Sequence, residues 1–197
     1  MNLPQPQEKG EVSLEEAIKK RQSVREFSPR ALSLKQLSQL LWAAQGITER
    51  ENSRRSCPSA GALYPLEIYV VVKNLSGTEP GIYYYDAFKH SLEMVRKGNF
   101  STRLADACLG QFFISEAPVV IVICAESERT TWKYGERGAR YVHIEAGHCG
   151  QNICLQVQSL GLATVPVGAF WDREVQKAIE IPEEYEPLYI FPVGYPK

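Results

Sequence analysis

Leu34, Leu37, Leu40, Leu41 and Ala44 recur three and four residues apart, the spacing that lines up one face of a helix, and Ser33 with Gln36 forms a capping-box pair at its start. Gly46 stands where a C-terminal cap belongs. Ser13 with Glu16 repeats the device and predicts a shorter helix to about Lys20. Elsewhere the pattern changes. EIYVVVK at 67–73, GIYYYDA and SLEMV predict strands, the last two joined as a hairpin by a polar turn around Lys89 and His90. A helix is expected over 101–110, and APVVIVICAE at 117–126, a continuous β-branched run, predicts a buried central strand.

The longest predicted helix runs from about Glu136 to Leu160 and ends at Gly161. Ala139, Ala146, Gly147 and Gly150 make it small-faced. An interior glycine costs about 1 kcal/mol relative to alanine, so another helix or a flat ligand is expected to come close there. LATVPVGAFWD then reads as a short strand and turn, a helix follows near 172–179, and PLYIFPVGYPK closes the chain as a strand. Residues 47–66 form a long irregular stretch of the kind that is functional or mobile. Residues 1–11, polar with two prolines, are expected to be a flexible tail on a single domain spanning 12–197.

Composition narrows the classes. The chain has 197 residues, 44% of them hydrophobic, enough for one substantial core. Its 22 basic and 23 acidic residues leave a net charge of −1, which argues against a nucleic-acid or membrane-surface partner. No apolar run is long enough to span a membrane and the N-terminus has no signal-like region, so a cytoplasmic location is expected. The five cysteines are an odd set without a C-x-x-C pair, expected to be reduced, mostly buried thiols. His143 with His148 and Cys149 with Cys154 lie five residues apart, poor spacing for a helical metal site, so none is expected. No cysteine has a recognisable activating partner, and neither a Walker loop nor G-x-G-x-x-G is present.

IKKRQSVREFSPR at 18–30 carries the sharpest candidate chemistry. Arg21, Ser23 and Arg25 alternate, and in an extended chain alternate side chains share a side, as an anion-binding fork would. The competing reading is that the arginines cap helix carbonyls or pair with carboxylates such as Glu26. PSAGALYP at 58–65 is a turn-rich stretch, and most such turns bind nothing.

Five stretches, RQSVREFS, LSQLLWAAQGIT, PSAGALYPLEIYVVV, YGERGARYVHIEAGHCGQN and PLYIFPVGYP, together and in this order resemble the nitroreductase superfamily of FMN enzymes, nearest its SagB-type dehydrogenase branch. The resemblance implies an α+β fold with a central, mostly antiparallel sheet flanked by helices, and a long central helix at a homodimer interface. It implies that Arg21 and Ser23 hold the phosphate and ribityl end of FMN and that Arg25 approaches the pyrimidine edge of its ring. Pro58, Ser59, Ala60, Gly61 and Leu63 correspond to the segment that covers the flavin of the partner subunit. Gln111 corresponds to an amide at the flavin's polar edge, pairing as donor and acceptor, and Val167 or Gly168 to a backbone N–H aimed at the ring. Many relatives continue beyond the G-Y-P turn with a further basic phosphate ligand, whereas here the sequence stops at Lys197, so the resemblance implies either that Lys197, Arg140 or another cation substitutes or that FMN is held less tightly. The implied activity is hydride transfer from NAD(P)H to FMN and on to a small or aromatic acceptor by a ping-pong mechanism, with no protein acid or base. The alternatives are a SagB-type azoline-to-azole dehydrogenase acting on peptides, or a flavin-binding or storage protein without turnover.

Overall fold

The computed structural model describes residues Met1–Lys197. Six strands form one sheet: β3 (Leu66–Val72), β4 (Gly81–Asp86), β5 (Ser91–Lys97), β6 (Val119–Ala125), β7 (Ala163–Thr164) and β8 (Glu186–Gly194), in the order β5-β4-β3-β6-β8-β7. Every strand pair in it is antiparallel. Two shorter strands, β1 (Ile47–Glu49) and β2 (Arg54–Arg55), make a separate ribbon within the stretch expected to be irregular.

β6 is buried along its whole length because helices cover both faces of the sheet. Val119, Ile121 and Ile123 join Ile68, Val70 and Val72 in a core beneath α2 (Leu34–Gln45) and α6 (Arg137–Ser159). Val120, Val122 and Cys124 join Tyr69 and Val71 in a second core, under α3 (Ser101–Ala107), α4 (Phe113–Glu116) and α7 (Asp172–Ile179). The period of two thus assigns alternate residues to two cores, and the strand reads as continuously apolar.

At the start of α2 the full capping box forms: Ser33 Oγ accepts from Gln36 N, and Gln36 Oε1 accepts from Ser33 N. Ser13 caps α1 (Leu14–Lys20) by accepting from Glu16 N at 3.2 Å, but the Glu16 side chain turns to Lys20 instead. Gly46 ends α2 in an extended conformation, φ −65° and ψ 152°, rather than a left-handed one. The long helix is preceded by a separate α5 (Glu128–Tyr134), set off by Gly135 at φ +58°.

Two expectations need correction. Gly150 does not await a second molecule: a Cβ there would lie 2.6 Å from Phe191 Cζ and 3.3 Å from the Tyr189 ring, so the helix sits tight on β8 of its own chain. Ala146 is also buried inward, whereas Ala139 and Gly147 are exposed. The N-terminal residues are tied down rather than loose. Leu3 is 5% exposed, its N–H donates to His90 O at 3.0 Å, and Gln7 N donates to Gln39 Oε1 at 2.7 Å. No helix is long and apolar enough to cross a membrane.

Candidate functional site

The segment after α1 is extended and strapped to the sheet edge. Val24 N–H donates to Thr164 O at 3.0 Å and Ser28 N–H to Tyr195 O at 2.8 Å. Phe27, 2% exposed, anchors it in the second core. With its backbone fixed, the segment leaves Arg21, Ser23 and Arg25 exposed. Neither arginine forms an ion pair with a carboxylate. Arg21 lies close enough to Cys154 of α6 to lower that thiol's pKa, although burial dominates and raises it to about 11. The Arg25 guanidinium sits 5.8 Å from the centroid of the Phe113 ring.

Gln111 and the loop before α7 meet. Gln111 Nε2 donates to Cys108 O and to Ala169 O, both at 2.8 Å. Its two protons are therefore spent inside the protein, and only the amide oxygen remains for a ligand, which corrects the expected two-way pairing. Of the two residues expected to offer a backbone N–H, Val167 is committed, donating to Ile190 O at 2.8 Å. Gly168 is exposed, its N–H has no backbone acceptor, and a Cβ added there would meet nothing within 4 Å.

Pro58, Ser59, Ala60, Gly61 and Leu63 belong to a strained turn. Gly61, Ala62 and Tyr64 have φ of +62°, +55° and +47°, and left-handed backbone is costly for a tyrosine or an alanine. Ser59 Oγ accepts from Tyr64 N at 2.9 Å, and Arg129 Nη1 donates to Tyr64 O at 3.2 Å. Gly61 is needed on local grounds, since a Cβ would lie 2.7 Å from Tyr134 Oη. Just upstream, Asn152 Nδ2 on α6 donates to Ala43 O at 2.9 Å and to Cys57 Sγ at 3.3 Å, while Cys57 Sγ–H donates to Ala44 O at 2.9 Å. All five cysteines are free and buried. Burial pushes the Cys108 thiol up to about 12, consistent with an inert core residue.

Sequence reasoning missed the groups beneath this turn. Glu145 of α6 is 2% exposed and accepts from Gln45 Nε2 at 3.4 Å, and Gln45 Oε1 accepts from Arg55 Nη1 at 3.2 Å. Burial raises the Glu145 pKa, while the Ser59 hydroxyl, Gln45 and the Arg55 charge work to lower it. A signal was available: Glu145 falls on the inward stripe with Val142, Ala146 and Cys149, where a carboxylate is out of place. The two cations suggested as late phosphate ligands differ. Lys197 Nζ lies 3.8 Å from Glu116 Oε2, whereas Arg140 is exposed and without an ion pair.

The model of the nitroreductase family matches residues 18–195. A protein of Methanocaldococcus jannaschii assigned by name to the nitroreductases is 48% identical over 184 residues, covering 93% of this chain and 91% of its own length. A crystal structure from Anabaena variabilis, also assigned to the nitroreductases, superposes with a TM-score of 0.83 at 31% identity; the match covers 93% of this chain and 38% of that one. The microcin B17-processing protein of Escherichia coli, a relative of the SagB type, is 27% identical over 155 residues, 76% of this chain and 57% of the relative.

Proposed function

This chain belongs to the nitroreductase family, and from that premise we propose that it is an FMN-dependent oxidoreductase working as a homodimer. The single observation that carries the reading is the pair of exposed, unpaired cations Arg21 and Arg25 flanking Ser23 on a rigidly strapped segment. Cations held without carboxylate partners suit a phosphate and a ring edge that becomes anionic on reduction. Arg21 and Ser23 hold the phosphate and ribityl chain, Arg25 meets the pyrimidine edge, Gln111 offers its oxygen there, and Gly168 presents its N–H toward the ring. The turn Pro58–Gly61 with Leu63 covers the flavin of the partner subunit. Bound FMN would supply the two-electron chemistry, taking a hydride from NAD(P)H and passing electrons to a small or aromatic acceptor in alternate half-reactions. The protein's part is to hold, orient and shield, and no side chain here acts as acid or base.

The exposed stripe of α6, including Arg140, His143, Ile144, Gly147 and His148, is the surface we assign to the dimer. The similarity to the microcin-processing protein supports a second reading, a SagB-type dehydrogenase that oxidises azoline rings in peptides.

The test is optical. Purified protein loaded with FMN should be yellow and dimeric, bleach anaerobically on addition of NADH or NADPH, and regain colour with a nitroaromatic or quinone acceptor. Bleaching by an azoline-bearing peptide alone would favour the second reading. A colourless monomer that ignores added FMN would overturn both, and a stable yellow protein that never bleaches would be a flavin carrier.

A further inference from the structure

Tyr64 is the pivot of the strained turn, held by the turn's own Ser59 and by residues of two other elements. Its N–H is bound by Ser59 Oγ and its carbonyl by Arg129. Its ring lies under the Arg55 guanidinium, 4.6 Å from centroid to Cζ, and Phe88 lies 5.4 Å from the same carbon. Arg55 is unusual in its bonding. Nη1 donates to Gln45 Oε1, yet Nε is buried with no hydrogen-bond partner. The guanidinium rests against the Tyr64 and Phe88 rings as well as bonding the Gln45 oxygen, so the position of its plane matters alongside its charge.

Below it lies Glu145, whose hydrogen-bonded path to Arg55 runs through Gln45, while the Arg55 charge and the Ser59 hydroxyl of the turn also act on it. A buried carboxylate on a helix packed between α2 and the sheet is costly unless partnered. Here its partners are the Ser59 hydroxyl and a glutamine whose own oxygen then binds the guanidinium. We propose that Glu145, Gln45 and Arg55 form a relay that positions the 58–64 turn: Glu145 fixes the orientation of the Gln45 amide, the amide oxygen fixes the Arg55 plane, and that plane holds Tyr64 in its left-handed conformation. Arg55 and Glu145 are positioning residues, acting through Tyr64 on the backbone of Pro58–Gly61. The inference rests on the flavin reading only in what that backbone faces.

Two readouts test it: FMN affinity by absorbance titration, and amide hydrogen exchange at Tyr64 in protein without FMN. Arg55→Ala should speed Tyr64 exchange about tenfold and weaken FMN about tenfold. Arg55→Lys keeps the charge but not the plane and should restore neither. Glu145→Ala should act in the same direction, Glu145→Gln, which keeps the acceptor, should restore both, and the Arg55→Ala/Glu145→Ala double variant should be no worse than Arg55→Ala alone. If Glu145→Ala fails to fold, Glu145→Gln and the Arg55 variants still decide the matter. Unchanged Tyr64 exchange in Arg55→Ala, full rescue by lysine, or additive losses in the double variant would each overturn the relay. Faster exchange with unchanged FMN affinity would overturn its role at the cofactor. Wild-type protein that binds no FMN would sink the flavin reading instead, and the exchange rates would still judge the relay.

Discussion

Arg21 and Arg25 are exposed and carry no carboxylate partner, so replacing either removes no internal ion pair. That separates binding from folding at the level of single residues. Arg21→Ala should leave the melting temperature in place and weaken FMN by one to two decades, since a charge-assisted bond to phosphate is worth about 1.5–3 kcal/mol. A flavin fluorescence titration with unchanged affinity would put the phosphate elsewhere. The alternation of these residues was plain in the sequence because an extended segment has a fixed period. The commitments of Gln111 and Val167 were not. Whether an amide proton or a backbone N–H is free depends on carbonyls at Ala169 and Ile190, which lie 58 and 23 residues away in the chain.

At the scale of elements, α6 shows how one helix uses small residues for two purposes. Gly150 faces Phe191 of β8 at a distance a Cβ cannot occupy, and Phe191 is locked edge-on to Tyr189 at 4.8 Å between centroids. Gly147 faces outward with nothing within 4 Å. Gly150→Leu should therefore destabilise the subunit itself, by about 1–3 kcal/mol or more from overpacking. Gly147→Leu should leave each subunit folded and shift the monomer–dimer equilibrium toward monomer. Thermal melts and sedimentation together check the pair, and a Gly147→Leu dimer as tight as the wild type would move the interface away from this stripe. From sequence the two glycines looked alike, because three residues apart on a helix they lie only about 60° apart around the axis, and the edge of the buried stripe falls between them.

For the molecule as a whole, the N-terminal segment closes one end of the first core. Ser38 Oγ–H donates to Pro4 O at 2.5 Å, and His90 Nε2 lies 3.0 Å from the same oxygen and can donate to it. Tyr85 Oη lies 2.9 Å from His90 Nδ1 and donates to it when the ring is neutral. Burial lowers the His90 pKa below its ordinary value of 6.5, with the Pro4 carbonyl opposing. The folded protein thus binds this proton less readily than the unfolded chain. Stability from His90 is present above the ordinary value and is lost as the pH falls from there through the depressed folded value. Urea melts should show lower stability at about pH 5 than at about pH 7, and His90→Gln should flatten that part of the difference. An unchanged slope in the variant would assign the acid sensitivity to other groups.

The chain's periodicities determined its elements: the α2 stripe with its reciprocal cap, the β-hairpin, the doubly buried β6 and the helix at Asp172–Ile179 all follow from neighbours within a turn or a strand. Local sequence encodes these because their hydrogen bonds and faces repeat over three or four residues or over two. Tertiary structure decided what each face meets. It turned Gly150 onto Phe191, drew the N-terminal residues onto His90, and brought Gln45, Arg55, Tyr64 and Glu145 from four separate stretches under one turn. Contacts between residues 100 or more positions apart, such as Gln45 with Glu145 and Asn152 with Ala43, have no period along the chain, and only the packing of two cores against one sheet selects them.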